Sequence, residues 1–275
     1  MSHTDELQAA RIAGAALFTE DDVVASYYAR PPYGPALYAH LLRQTSGRMR
    51  ALDLACGPGK IARVLADHFD EVVAVDPSEA MIAAGIAQDA GAHSNIRWTR
   101  LRGEDFETDD RFDLVACGSA IHWMDPAVQF PKLARWTDLL ALLNTDPLFP
   151  APPPPCGRRA WVDFLCEWRQ RTGRAPPAAW RDPDHATSPA TPHHAWMDLA
   201  GREVFAFPFA QSVEDFIASC HSRVSWPRSQ MGAALAAEFD AALDALMRPF
   251  STDGMLELEI VSELTWGAPR ATPKD

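Results

Sequence analysis

Two carboxylates, Asp53 and Asp76, bracket a short run in which Gly57 and Gly59 stand at alternate positions. Glycine lets a backbone pass through positive φ and approach a bound group with no Cβ in the way, so the pair predicts a tight turn packed against something close. Asp76 closes the apolar run Val72-Val73-Ala74-Val75. A carboxylate at the end of such a strand is placed to accept hydrogen bonds from ribose hydroxyls. Strand, glycine turn, helix and a second strand ending in an acid together outline a nucleoside-cofactor site. Gly57-Pro58-Gly59-Lys60-Ile61-Ala62 also satisfies the looser dinucleotide pattern, so two kinds of cofactor compete. Asp53 separates them, because a dinucleotide brings its pyrophosphate to this turn, where a carboxylate repels it. A phosphate-free cofactor with a cationic head is attracted instead.

The run Asp53-Leu54-Ala55-Cys56-Gly57-Pro58-Gly59 resembles the first motif of the class I S-adenosylmethionine-dependent methyltransferases, with Ala55 where many members carry the first glycine. Tyr27-Tyr28-Ala29-Arg30-Pro31-Pro32-Tyr33-Gly34-Pro35 is similar to the segment that leads into the core in the trans-aconitate-methyltransferase-like branch. That resemblance implies that Tyr28 and Arg30 contact the cofactor carboxylate; the plainer alternative is an arginine capping a helix beside packed tyrosines. It also implies cofactor contacts from Asp53, Ala55, Gly57, Gly59, Asp76, Pro77 and Met81. Gly103-Glu104-Asp105 falls where the family places an acid near the adenine amine, and Glu104 and Asp105 both remain candidates. Gly118-Ser119-Ala120-Ile121-His122-Trp123 resembles the alanine-x-His-Trp step beside the transferring methyl, with Gly118 against the cofactor. The specific resemblance spans about residues 27–145.

Its implications are a small-molecule methyl acceptor, S-adenosylmethionine as cofactor and S-adenosylhomocysteine as product. O or N, less readily C, is the methylated atom, and a specialised metabolite is the expected acceptor. The alternative is a protein of the same fold that uses the cofactor without methylating, in an isomerisation, cyclisation or ring-opening. An NAD-linked oxidoreductase is disfavoured by Asp53. His122 is the first candidate base, since an imidazole titrates near neutrality; it could instead simply pack on Trp123. His221 is the second, against the plainer possibility of a helix-face histidine. His193-His194 suggests at most part of a metal site and, with no third ligand apparent, no metal is expected.

These groups need a framework, and the chain alternates strand and helix as a doubly wound α/β sheet should. Strands are predicted at Ala51–Ala55, Val72–Asp76, Ile96–Leu101, Phe112–Cys117 and Leu139–Thr145. Helices are predicted at Ile61–Phe69, from the N-cap Ser78 to about Ala90, and Asp125–Trp136, with an interrupted helix before them over Val23–Leu42. The usual basic-proline-glycine-glycine turn before the fifth strand is replaced by Arg135-Trp136-Thr137-Asp138, a departure expected to affect the far edge of the fold. Pro147–Pro155 reads as a stiff connection into an inserted helical cap, where Trp161, Phe164, Leu165 and Trp168 mark one helix face. Ala175–His194 reads as an irregular loop. A strand at Val204–Phe209, a helix capped by Ser212 with Asp215 and running through Ser225, a helix at Met231–Met247 and a final strand at Leu256–Trp266 complete a mostly parallel seven-stranded sheet. The expected division is a tail at 1–22, a core at 23–145, a cap at 146–202, the rest of the core at 203–267 and a tail at 268–275.

A chain of 275 residues, 47% hydrophobic, suffices for one α/β unit with an insertion. Its net charge of −12 and lack of basic clusters argue against nucleic acid as a partner. Five scattered cysteines without CxxC spacing suggest neither disulfides nor zinc. No twenty-residue apolar run and no signal-like start appear, so a cytoplasmic protein away from membranes is expected.

Overall fold

The computed structural model describes residues 14–145, 154–176 and 192–274. Its centre is built from short apolar runs that have no polar face to present to water. Leu52, Leu54, Val72, Val75, Leu114 and Val115 are fully buried, which requires cover on both sides. They belong to β1 (Arg50–Leu54), β2 (Glu71–Asp76) and β4 (Leu114–Gly118), flanked by β3 (Ile96–Arg100) and β5 (Leu140–Thr145). These five strands are parallel. With β6 (Met197–Ser212) and β7 (Met255–Pro269) they form a seven-stranded sheet ordered β3-β2-β1-β4-β5-β7-β6, in which β7 runs antiparallel to both neighbours. The doubly wound, mostly parallel α/β sheet expected from the sequence is therefore present.

Helices α1 (Asp21–Tyr27) and α2 (Pro35–Gln44) precede the sheet, and α3 (Lys60–Ala66), α4 (Glu79–Asp89) and α5 (Pro126–Trp136) connect its strands. One apolar cluster joins Leu37, Leu41, Ile61 and Leu65 to one face of the sheet, and another joins Phe130, Leu133 and Trp136 to the opposite face. Ser78 accepts from the Met81 amide at 3.2 Å, so α4 starts where its cap predicts; Asp125, expected as the first residue of its helix, instead caps α5 by accepting from the Ala127 amide at 2.9 Å. After β3 the chain crosses to the far side of β1 before laying down β4. That reversal opens a crevice beyond the C-terminal ends of β1 and β4, where open α/β sheets hold ligands.

Several elements differ from expectation in extent. β6 is 16 residues long rather than the six of Val204–Phe209; Gly201 interrupts the pattern ahead of Val204, and an edge position tolerates both it and Pro208. α7 (Val213–His221), capped by Ser212 as expected, stops before Ser225. Of the helix expected at Met231–Met247, α8 (Ala233–Met247) remains; Gly232, at φ +76°, breaks it from Met231, which ends a separate single turn at Arg228–Met231. The unusual turn before β5 is closed by Thr137, whose Oγ1 accepts from the Leu139 amide at 3.0 Å. It leads into an interior strand, not the edge of the sheet.

The helix expected in the insertion is α6 (Arg158–Arg171). Its Trp161, Phe164 and Trp168 pack with Phe216, Trp226 and Phe239 of the C-terminal helical segment in a third apolar cluster. Most of the expected proline-rich connection and most of the expected loop at Ala175–His194 lie outside the described residues. No described helix is long and apolar enough to cross a membrane.

Candidate active site

The turn after β1 bends through three left-handed residues, Ala55 at φ +57°, Gly57 at +52° and Gly59 at +71°. This coil brings the backbone of Ala55 and Gly57 to the wall of a cavity of about 260 Å³ in the crevice. Asp76, Pro77, Ser78 and Met81 line it from the end of β2 and the start of α4. Gly103 and Glu104 close one end, and Gly118 to Ala120 with Trp123 and Met124 form the wall beyond β4. Ala15, Ala16, Phe18 and Thr19, residues expected in a tail, complete the cavity with Tyr27 and Arg30.

Asp76 is buried and both its oxygens are engaged. Oδ2 accepts from the Gly57 amide and Oδ1 from the Ser78 amide, each at 2.8 Å. Burial raises its pKa above the usual carboxylate range, opposed by these two bonds. Asp53 lies deeper, 0% exposed, and Oδ2 accepts from the Ala62 amide at 2.8 Å. Among the described residues its Oδ1 has no hydrogen-bond partner. A buried carboxylate oxygen left without a donor is costly, and an ammonium group brought to it would supply one.

Asp53 lines a second recess of about 80 Å³ that shares Tyr27, Arg30, Ala55, Gly118 and Ser119 with the larger cavity. Three cations, Arg30, Lys60 and Arg223, also border it. A site holding an unsatisfied carboxylate beside arginines and a lysine suits a zwitterion. The adjoining cavity, with Asp76 in its lining, suits a nucleoside. The residues therefore fit S-adenosylmethionine, whose two ends are of these kinds.

Burial pushes Asp53 up to about 7, and burial together with Arg30, Arg63 and Arg223 pushes Lys60 down to about 7. In the unfolded chain these groups titrate near roughly 3.9 and 10.4. The folded protein then holds an extra proton on Asp53 between about pH 4 and 7, so stability falls across that window. Lys60 loses its proton early on folding, so its penalty is relieved as pH rises from about 7 to about 10. The expected result is a dip near pH 7 in the Tm of ligand-free wild type relative to Asp53→Asn/Lys60→Met. A Tm difference that does not vary among pH 5, 7 and 9 would refute these shifts.

Of the expected cofactor residues, Gly57, Asp76, Pro77, Met81 and Glu104 line the larger cavity, Arg30, Ala55 and Gly118 both spaces, and Asp53 the recess. Four expectations need correction. Tyr28 is 58% exposed and donates to Asp215 at 3.1 Å, while Tyr27, one residue earlier, faces the site. Asp105 is exposed, and of the two acids only Glu104 lines the cavity. Gly59 lies behind the turn against the Trp98 ring, where a Cβ would collide with it. Neither histidine is at the site. His122 is exposed on a short turn with its ring 4.6 Å from that of Trp123, and Trp123 is the one that lines the cavity.

His221 is 0% exposed inside the helical cluster, with Nε2 2.6 Å from Asp240 Oδ1 and Nδ1 2.7 Å from the Trp226 carbonyl oxygen. The helix that carries it turns that face toward α8. His193 is also buried, stacked on Phe130 at 6.0 Å. No metal-ligand cluster occurs among the described residues.

Sequence reasoning missed Phe18, Tyr27, Lys60, Trp123 and Arg223. Lys60 and Trp123 sit inside the motifs quoted and were legible as neighbours of named residues. Arg223 comes from the far end of the chain, and no local signal points to it.

Residues 51–141 match the model of a methyltransferase domain. The "Probable S-adenosylmethionine-dependent methyltransferase CRG1" of Saccharomyces cerevisiae is 33% identical over 125 residues, covering 44% of this chain and 41% of that protein. The ubiquinone biosynthesis O-methyltransferase of Bradyrhizobium diazoefficiens is 30% identical over 89 residues, covering 32% and 35%. The chain thus spans about two fifths or less of these relatives' lengths. Among solved structures, a protein of Anaeromyxobacter dehalogenans assigned as a type II methyltransferase superposes with a TM-score of 0.57 at 22% identity, covering 89% of this chain and 99% of that one. This last likeness concerns the fold.

Proposed function

We propose, from a chain whose residues 51–141 form a methyltransferase domain of the class I, S-adenosylmethionine-dependent kind, that the protein transfers a methyl group to O or N of a small molecule. The observation that carries this proposal is the joining of two spaces at Ala55, Gly118 and Ser119: a cavity lined by Asp76 and a recess holding Asp53 beside Arg30. When bound, S-adenosylmethionine supplies a methyl group already attached to a good leaving group.

The chain's own work is then placement. Asp76 accepts from the ribose, Glu104 and Met81 bound the adenine end, Asp53 receives the ammonium and Arg30 the carboxylate. Phe18, Tyr27 and Trp123 present aromatic surface that suits a partly apolar acceptor. Holding two reactants in line can remove about 7–11 kcal/mol from a barrier, which makes positioning the main catalytic device.

With neither histidine in the lining, no imidazole base is assigned. His122→Ala is expected to leave kcat within about twofold, whereas a general base contributes roughly 10²–10⁴-fold. A loss beyond tenfold would restore His122 to the chemistry.

The function is tested first by thermal shift with S-adenosylmethionine, S-adenosylhomocysteine and NAD. A ligand at about a hundred times its Kd stabilises by roughly 2.7 kcal/mol. Stabilisation by NAD alone ends the proposal. Mass spectrometry of phenol, amine and carboxylic acid acceptors incubated with S-adenosylmethionine then looks for a gained methyl group. A converted acceptor of unchanged mass would point to the non-methylating alternative. A specialised metabolite as acceptor is part of the proposal, and the aromatic wall supports only the partly apolar character of that acceptor.

A further inference from the structure

Arg30 enters the site from the segment between α1 and α2 and borders both the cavity and the recess. Its guanidinium is held on two sides. One face lies over the Tyr27 ring, with Cζ 4.2 Å from the ring centroid. One edge is taken by Ser222: Nε donates to Ser222 Oγ at 2.8 Å, and Nη2 donates to the Ser222 carbonyl.

Ser222 is fully buried just past the end of α7, and its hydroxyl proton goes to the Ser219 carbonyl at 2.6 Å. With that proton committed, Oγ can only accept from Arg30. The hold on Nε and Nη2 leaves Nη1 without a hydrogen bond among the described residues. An arginine fixed in this way meets an anion without first losing rotamer freedom.

We infer that Ser222 is a positioning residue, which sets the Arg30 guanidinium so that its Nη1 edge receives the carboxylate end of the cofactor. Recognition of that end then depends on the C-terminal helical segment, outside the matched span of residues 51–141. The inference rests on the cofactor proposed above.

Two ligands separate the positioning role from a general structural one. S-adenosylhomocysteine carries the amino-acid carboxylate, and 5′-methylthioadenosine shares its adenosine and sulfur but lacks that end. In isothermal titration, Ser222→Ala is expected to weaken S-adenosylhomocysteine about tenfold, in line with the loss of a hydrogen bond to a charged group. Methylthioadenosine should stay within about twofold of wild type, and Ser222→Thr should recover most of the lost affinity. Ser222→Cys, close in size and a poor acceptor, repeats the comparison if the alanine variant does not fold. Equal weakening of both ligands, or no weakening of either, overturns the inference while leaving the cofactor intact. Wild type that binds neither ligand overturns the cofactor and the inference with it.

Discussion

Asp76→Ala is expected to weaken S-adenosylhomocysteine binding by about a hundredfold while costing the ligand-free protein only a few degrees of Tm. The larger effect has two sources. The carboxylate is the group at the end of β2 able to accept from ribose hydroxyls, and hydrogen bonds to a charged group are each worth about 1.5–3 kcal/mol. It also holds the Gly57 and Ser78 amides at 2.8 Å, so its loss loosens the coil that forms the cavity wall. The smaller effect follows from an offset: two amides lose their acceptor, but a carboxylate whose pKa is raised by burial is no longer held in the interior. Asp76→Asn should fall between wild type and alanine, since its amide keeps one acceptor and turns a donor toward a donor. Titration calorimetry decides the matter, and a loss under fivefold for alanine would remove Asp76 from cofactor recognition.

Gly59→Val is expected to act on the fold, lowering Tm by roughly 10 °C without ligand. Gly59 sits at φ +71°, where a left-handed conformation costs an L-residue about 1–2 kcal/mol. Its missing Cβ is the space occupied by the Trp98 ring, which also closes over Gly85, so the added side chain has no direction in which to yield. Overpacking of this kind costs about 1–3 kcal/mol more, and each kcal/mol is worth about 2–4 °C in a chain of this size. Gly57→Ala makes the contrast. Its methyl would meet Tyr27 only at 3.7 Å, so it pays the strain at φ +52° and little else in stability, while intruding on the cavity. Melting curves at one pH would show Gly59→Val far below Gly57→Ala, and ligand titration would weigh most on Gly57→Ala. A Gly59→Val protein melting within 2 °C of wild type would show that Trp98 can move aside.

The two glycines illustrate why a motif is legible before its parts are. Their alternate spacing announces a left-handed coil after a strand, which the structure contains. Which glycine serves the ligand and which serves the packing depends on Trp98, some forty residues away on β3. A far greater distance in sequence hides Arg223 and Ser222, which come from beyond α7; Ser222 stands 192 residues from the Arg30 it holds. The cap aromatics show the reverse case: the spacing of Trp161, Phe164 and Trp168 correctly marks a buried helix face, and the partners that bury it, Trp226 and Phe239, lie far along the chain.

By itself the sequence determined the doubly wound α/β sheet, the coil at Ala55 to Gly59, the caps at Ser78 and Ser212, and the placing of Asp53 and Asp76 at the ends of neighbouring strands. Those features follow from local periodicity and from backbone preferences of single residues. Only the tertiary structure decided between Tyr27 and Tyr28, between Glu104 and Asp105, and between His122 and Trp123. Each pair lies on or beside a helical turn, the latter two on the short turns Gly103–Asp105 and Ile121–Trp123. Successive side chains there point about 100–120° apart. One-residue precision about direction is set by what the turn packs against, and that packing is made by residues remote in the chain.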